Sequence, residues 1–237
     1  MANPYFKFKQ FTIWHDKCAM KVGTDGALLG AWAAPKEARN ILDIGTGTGL
    51  VALMLAQRCQ AFIDAIDIDA DACLQAEENV ARSPFADRIR VHHCALNDFH
   101  PSAPSHYDLI VSNPPYFHQA LKCPDPQRNR ARHTDTLSLE ELFQESHRLL
   151  TPAGRLCLIL PYDQLERVHQ VSQLNGFHWI MRTDVSPVVG SAPKRLLAEW
   201  GLQPVASPLH TTLSLEYPDR SYTEAFIALE RDYYLKM

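Results

Sequence analysis

The sequence lacks the features that place a chain in a membrane or a secretory compartment. No apolar run approaches the length of a membrane span, and the first residues contain no apolar signal core. The six cysteines are scattered without a Cys-x-x-Cys pair, which favours reduced thiols packed as small hydrophobic side chains. We therefore expect a cytoplasmic protein with no membrane partner.

Two further absences limit the possible ligands. His92-His93-Cys94 is one cluster of candidate metal ligands, and His15 with Cys18 is another, but neither completes a four-ligand set, so we expect no metal site. The net charge of -4 is not that of a general nucleic-acid binder, so any positive charge that meets RNA must be local. The 237 residues, 46% of them hydrophobic, suffice for one large globular α/β domain.

Strand-like and helix-like segments alternate from Arg39 onward. The predicted strands are Asn40–Ile44, Phe62–Ile68, Arg88–His93, Tyr107–Ser112 and Gly154–Leu160. The predicted helices are Leu50–Cys59, Ala70–Arg82 and one that Ser138 opens with a capping-box pattern. Three less regular strand segments and a short helix follow: Phe177–Val185, Arg195–Gly201, Thr211–Tyr217 and Tyr222–Leu229. This alternation predicts βαβ units and a mainly parallel sheet.

The first 35 residues precede this alternation. Residues 6–14 alternate polar and apolar side chains, which predicts a strand or hairpin. Thr24 or Asp25 can cap a helix that runs to about Ala34, because Pro35 cannot continue it. No internal repeat or linker is present, so we expect a single domain over residues 1–237, with residues 39–237 as its core.

A stiff turn follows the strand Tyr107–Ser112. Asn113, Pro114, Pro115 and Tyr116 end that strand, because two prolines cannot continue a ladder. The Asn113 amide and the Pro114 carbonyl can then point into a cleft, with the Tyr116 ring beside them. This arrangement suits a planar base that carries an amino group, although a plain Pro-rich turn capped by aromatic residues gives the same pattern.

A glycine loop joins the first core strand to its helix. Gly45, Thr46, Gly47 and Gly49 allow a sharp turn and close approach of a ligand to the helix N-terminus. Nicotinamide and flavin enzymes also have such loops. Asp43 distinguishes this one, because a carboxylate there repels a pyrophosphate and favours a ligand that carries an ammonium and a sulfonium. S-adenosylmethionine is such a ligand.

A second carboxylate supports the same donor. Asp67 lies at the end of the next strand, where a carboxylate can accept both hydroxyl groups of a ribose, whereas Asp69 is better explained as a helix cap. Ligands of such sheets bind at the carboxyl ends of the strands, where the strand order reverses. The strand before Asn113 is the fourth, next to the first in that order, so its end is expected to face the donor methyl group.

Local positive charge follows the turn. The segment 122–133 carries Lys122, Arg128, Arg130 and Arg132 against a single acidic residue. These side chains can hold phosphates beside the site, although a solvated loop or internal ion pairs would show the same pattern.

These motifs resemble the class I S-adenosylmethionine-dependent N6-adenine methyltransferases, and among them the bacterial family that modifies adenine 37 of valine tRNA. The resemblance covers nearly the whole chain. It is carried by Phe8–Phe11, His15–Gly26, Leu42–Gly45, Asn113–Tyr116 and Tyr233–Met237. It implies a Rossmann-like fold with a seven-stranded, mainly parallel sheet, one antiparallel strand and helices on both faces. It also implies a tRNA partner, through the anticodon loop, and we expect a monomer.

The resemblance assigns further residues to the donor. Lys21, Gly23, Thr24 and Asp25 would border its methionine end, and Asp67 with the adjoining Ile68 would hold the ribose side. Ala95 stands where related enzymes often have an aspartate near the donor adenine, so backbone amides, Asn97 and Asp98 are the candidates there. Tyr116, with Phe117, would stack on the extruded base.

Other acceptors and a non-enzymatic role stay open from the residues alone. Glutamine N5-methyltransferases of release factors use the same Asn-Pro-Pro-Tyr turn, but they usually carry a separate N-terminal helical domain. A DNA or ribosomal RNA adenine methyltransferase would need the same chemistry. A non-catalytic nucleotide- or RNA-binding module of this fold is the alternative from another class, although it would not need both Asp43 and Asn113.

Overall fold

The computed structural model describes residues 3–18, 22–35, 37–101, 106–115 and 137–237. Its strands are β1 (Tyr5–Lys7), β2 (Thr12–Trp14), β3 (Asn40–Ile44), β4 (Phe62–Asp67), β5 (Ile89–His93), β6 (Tyr107–Ser112), β7 (Leu150–Pro161), β8 (His178–Val188), β9 (Arg195–Gly201) and β10 (Leu209–Glu216). Its α-helices are α1 (Thr24–Trp32), α2 (Leu50–Arg58), α3 (Ala70–Ala81), α4 (Leu139–Leu149), α5 (Leu165–Leu174) and α6 (Glu224–Glu230).

The main sheet has the order β10-β8-β9-β7-β6-β3-β4-β5. All neighbouring strands pair in parallel except at β9, which is antiparallel to both β7 and β8. The expected mainly parallel sheet with one antiparallel strand is therefore confirmed. Its eight strands exceed the expected seven because β10 pairs with β8 and extends the sheet at one edge.

Helices cover both faces of this sheet, as the fold class predicts. Helices α1, α2 and α6 contribute to one apolar core together with the N-terminal hairpin. Helices α4 and α5 contribute to the core on the other face. No helix among the described residues combines the length and the apolar character needed to span a membrane.

The N-terminal hairpin of β1 and β2 is joined to the end of the chain. Phe8 forms a bridge with Tyr234, and the Lys9 amide donates to the Tyr233 carbonyl at 2.8 Å. The Tyr233 hydroxyl in turn donates to the carbonyl of Met54 on α2. Residues far apart in the sequence thus hold the hairpin against the core.

The start of α1 differs from the prediction. Gly23 occupies the cap position, and no side chain caps the helix, so neither Thr24 nor Asp25 has that role. The Asp25 carboxylate instead forms an ion pair with Arg195 at 2.8 Å. The Asp25 carboxylate, which local sequence rules assign to a helix cap, is thus paired with Arg195 from a distant strand. The Ser138 capping box of α4 is confirmed.

Candidate active site

Two neighbouring strands end side by side where the strand order reverses. In the register of β3 and β6, Ile44 pairs with Ser112, and the Ser112 hydroxyl donates to the Ile44 carbonyl at 2.8 Å. Gly45 and Asn113 are the next residues of the two strands. The glycine loop and the Asn-Pro-Pro turn therefore leave the sheet together, at the position where open α/β sheets bind ligands.

The glycine loop is fixed by its own backbone. The amides of Gly45 and Thr46 both donate to the Ile66 carbonyl, at 2.9 and 3.0 Å, which ties the loop to the end of β4. Gly45 and Gly47 have φ angles of 71° and 56°, and a Cβ added to either would meet no atom within 4 Å. The space beside these two glycines is therefore open, and a ligand could lie there directly against the backbone.

Asp43 faces the inside of this loop. Its side chain is only 1% exposed, and one carboxylate oxygen accepts from the Thr46 hydroxyl at 2.7 Å and from the Ala52 amide at 3.2 Å. Burial raises the pKa of Asp43 to about 7; the two hydrogen bonds oppose this shift, and the charge of Asp67 adds to it. Asp43 therefore holds the loop on the start of α2 and can change its ionisation near neutral pH.

Asp67 lies at the end of β4 beside the loop. One carboxylate oxygen accepts from the Gly47 amide at 2.8 Å and the other from the Asp69 amide at 3.0 Å. Each oxygen retains acceptor capacity for a further hydroxyl group. Asp69 caps α3 through the amides of Asp71 and Ala72, as expected. Ile68, between the two carboxylates, is 55% exposed and presents an apolar side chain at the same edge.

The Asn113 turn lies next to this carboxylate-lined loop. Asn113 is half-buried, Pro114 is buried and Pro115 is exposed. Neither proline has a backbone N–H, so the turn presents oxygen acceptors without competing backbone donors. Such a turn can hold an amino group by its two N–H bonds.

The N-terminal block (residues 1–35) contributes residues at the same edge. Gly23 and Thr24 are exposed at the start of α1. The ion pair of Asp25 with Arg195 is mostly shielded, with side chains 18% and 32% exposed. Since Arg195 pairs with Pro161 at the end of β7, this contact links the start of α1 to the carboxyl edge of the sheet.

Asn97 has a partner that its sequence position does not indicate. It lies in a short 3-10 helix after β5, is exposed, and its side chain hydrogen-bonds to the carboxylate of Glu141. The Ser138 backbone amide, the Ser138 hydroxyl and this Asn97 contact together lower the pKa of Glu141. Asn97 therefore holds the start of α4, and its contact to a donor adenine stays a prediction.

Several predicted site residues lie outside the described part of the chain. They are Lys21, Tyr116, Phe117, Lys122, Arg128, Arg130 and Arg132. Their roles stay predictions.

Sequence reasoning missed two groups that the fold brings to the site. Asn79 of α3 is fully buried and donates to the Thr48 carbonyl within the glycine loop at 2.9 Å. Arg195 has no role that its position in the sequence indicates, and it pairs with Asp25 at the start of α1. A polar residue at a buried position of a predicted helix was the available signal for Asn79.

The chain is similar to known methyltransferases over its whole length. Residues 19–176 match the model of the methyltransferase small domain family. A tRNA1(Val) (adenine(37)-N6)-methyltransferase of Parabacteroides distasonis is 56% identical over 237 residues, with 100% of both chains covered. The protein of the same name from Phocaeicola vulgatus is 51% identical, again with 100% of both chains covered.

Solved structures support the fold. A predicted O-methyltransferase of Agrobacterium tumefaciens superposes with a TM-score of 0.69 at 18% identity, over 88% of this chain and 96% of that one. At that identity the similarity shows the fold alone. With the family match and the full-length relatives, it is clear that the chain belongs to the methyltransferase small domain family, in the group of the tRNA1(Val) (adenine(37)-N6)-methyltransferases.

Proposed function

We propose that this protein transfers a methyl group from S-adenosylmethionine to N6 of adenine 37 in tRNA1(Val). The observation that carries the proposal is the Ile44–Ser112 register, which brings the glycine loop and the Asn113 turn to one point of the sheet edge. Family membership supports the reaction, and the names of relatives that match over the whole chain support the acceptor.

The residues of the loop fit this donor. Two carboxylates, Asp43 and Asp67, lie within or beside a glycine loop that has open space above it. They disfavour a pyrophosphate and favour a cationic ligand that carries ribose hydroxyls. The bound donor supplies an electrophilic methyl group on a sulfonium. Gly23, Thr24 and Ile68 border the same edge, where we assign them to donor contact together with Lys21.

The Asn113 turn positions the acceptor. We assign the Asn113 side-chain oxygen and the Pro114 carbonyl to the two N–H groups of the adenine amino group. These bonds favour a pyramidal nitrogen whose lone pair is no longer fully delocalised into the ring, so the nitrogen becomes a better nucleophile. Tyr116 and Phe117 are proposed, from sequence, to stack on the base. A base in an anticodon loop is unpaired, so its extrusion costs less than from a duplex.

The ionisation of Asp43 predicts a pH dependence of donor binding. A cationic ligand favours the carboxylate, so Asp43, with a pKa of about 7 in the free protein, should lose its proton on binding. Donor affinity should rise about fivefold between pH 6 and pH 7, where the ionised fraction of Asp43 grows from about a tenth to about a half and the donor's α-amino group stays protonated. Isothermal titration calorimetry in buffers of different ionisation enthalpy measures this. Affinity that is flat over this range, without proton release, would contradict it.

The basic segment is proposed to hold tRNA phosphates. Replacing Arg128, Arg130 and Arg132 together with alanine should weaken tRNA binding. It should also reduce the slope of log Kd against log salt concentration by at most about three. Donor affinity should stay unchanged, and it serves as the internal control. Unaltered tRNA affinity and an unaltered salt slope would remove this segment from the interface.

The proposed reaction has a direct test. Purified protein is incubated with radiolabelled S-adenosylmethionine and, in parallel, with bulk tRNA, a release factor or DNA, followed by nucleoside and amino-acid analysis. N6-methyladenosine in tRNA, mapped to position 37 of tRNA1(Val) and absent from transcripts with another base there, is the expected result. Methylglutamine in the release factor, methyladenine in DNA, or binding without transfer would each overturn the proposal.

Three organisational features complete the proposal. Residues 1–237 act as one domain, in which residues 1–35 form part of the donor site. The hydrogen bonds between the N-terminal hairpin and the end of the chain support this unity. We also propose that the protein acts as a monomer and in the cytoplasm, where its tRNA partner is found.

A further inference from the structure

The buried face of α3 carries two carboxamides one helical turn apart. Gln75 and Asn79 are both 0% exposed, on a face that otherwise buries small apolar side chains such as Ala72, Ala76 and Val80. A buried amide is costly unless its donors and acceptor are satisfied. The partners of these two side chains therefore identify what the helix holds in place.

Asn79 is hydrogen-bonded to two separate segments. Its oxygen accepts from the Trp14 amide at 2.9 Å, and its nitrogen donates to the Trp14 carbonyl at 2.9 Å. The same nitrogen donates to the Thr48 carbonyl of the glycine loop at 2.9 Å. Both N–H groups and the oxygen are thus in use. One side chain joins the N-terminal block, α3 and the glycine loop.

Gln75 extends this attachment along the N-terminal block. Its side-chain oxygen accepts from the Lys17 amide at 3.0 Å, and the Lys17 ammonium contacts Glu78 on the same helix. Residues 14–17 are therefore fixed on α3. The chain then leads to Gly23, the cap of α1, and so to the edge of the site.

The loop end of this network is joined directly to the donor site. Thr48 follows Gly47, whose amide donates to Asp67, and precedes Gly49, which has a left-handed φ of 79°. A shift of the Thr48 carbonyl would thus be transmitted to the amide that faces Asp67.

We propose that Asn79 is a positioning residue for donor binding. By bonding Trp14 and Thr48 at once, it fixes the glycine loop relative to residues 14–17, and the chain continues from these to Gly23 at the donor site. Asn79 contacts neither donor nor acceptor itself. This inference rests on the donor site of the proposed function and adds the residue that fixes its geometry.

The test replaces Asn79 with aspartate, which has nearly the same shape. Asn79→Asp keeps the acceptor for the Trp14 amide but sets acceptors against the carbonyls of Trp14 and Thr48. We expect the Kd and KM for S-adenosylmethionine to rise by about tenfold or more, with kcat at saturating donor and the Kd for tRNA within about twofold of wild type. Hydrogen exchange of residues 45–49 should become faster.

The matched control is Gln57→Glu on α2. The Gln57 amide also donates to a backbone carbonyl, that of Asp232 at 2.9 Å, but near the end of the chain and away from the glycine loop. This variant should lower thermal stability and leave donor Kd unchanged. If Asn79→Asp does not fold, hydrogen exchange of the wild-type protein provides the test. Saturating donor should slow exchange of the Trp14 and Lys17 amides together with the amides of residues 45–49.

The outcomes separate this inference from the function on which it rests. If wild type binds S-adenosylmethionine and folded Asn79→Asp binds it equally well, the positioning role is wrong and the donor site stands. The same holds if donor leaves exchange of the Trp14 and Lys17 amides unchanged in wild type. If wild type fails to bind S-adenosylmethionine, the donor site and this inference both fall.

Discussion

Replacing Asn113 with alanine is expected to lower kcat for methyl transfer by a factor on the order of 10² to 10³, while the donor Kd stays within about twofold. Asn113 follows β6, whereas the glycine loop follows the neighbouring strand β3. The loop contacts of Asp43 and Asp67 therefore do not depend on Asn113. What alanine removes is one acceptor for the adenine amino group. Single-turnover methylation of tRNA, with donor binding measured separately, tests both parts.

Two further variants serve as a conservative replacement and as a control. Asn113→Asp keeps an acceptor oxygen at the same position and should retain more activity than Asn113→Ala. Asn175→Ala removes an amide that donates to the Val171 carbonyl at the end of α5, away from the glycine loop, and should leave kcat unchanged. Turnover by Asn113→Ala close to that of wild type would show that the turn does not hold the acceptor.

Replacing Glu230 with glutamine is expected to stabilise the protein at alkaline pH. Glu230 ends α6 at 0% exposure, and within the described part of the chain neither carboxyl oxygen has a hydrogen-bond partner. Burial raises the pKa of Glu230 from 4.5 to about 8, although the nearby Arg58 guanidinium opposes the shift. The folded protein thus keeps a proton that the unfolded chain releases.

The sign of the pH effect follows from this raised pKa. The contribution of Glu230 to stability is complete below about pH 4.5 and is lost as pH rises through about 8. Glutamine is neutral in both states, so the gain in the free energy of unfolding should be roughly 3 kcal/mol larger at pH 8 than at pH 5. Urea unfolding of both proteins at the two pH values measures the difference.

A carboxylate in the first turn of the same helix provides the control. Glu224 accepts from the Tyr217 hydroxyl at the surface, and that bond lowers the pKa of Glu224. Glu224→Gln should therefore show no gain that grows with pH. If Glu230→Gln and wild type have parallel stability curves from pH 5 to 8, Glu230 is not protonated in the folded protein.

The core strands could be predicted because the spacing of the apolar residues and the turn-forming residues around them indicate the same strand boundaries. Asn40–Ile44, Tyr107–Ser112 and Arg195–Gly201 have the predicted bounds, since each apolar run is flanked by turn-forming or charged residues. Strand β7 begins at Leu150, earlier than predicted, because it follows α4 without an intervening loop. Local pattern gives no sign of such a direct connection.

The carboxylates of the site were found for a similar reason. Asp43 and Asp67 occupy fixed positions relative to a strand and a glycine loop, so βαβ geometry alone places them at one edge. Their partners could not be found in this way. Arg195 lies 170 residues from Asp25, and only the pairing of β7 with β9 brings it to the start of α1.

The sequence by itself determined the class of the protein. Three local features predict a methyltransferase: the alternation of strands and helices, the glycine loop after Asp43, and the Asn113 turn after the fourth core strand. The similarity to known proteins confirms this family. The tertiary structure decided which polar groups are buried and what they hold. The sequence does not show what Asn79, Asp25 and Glu230 contact, because burial and long-range pairing depend on how distant segments meet.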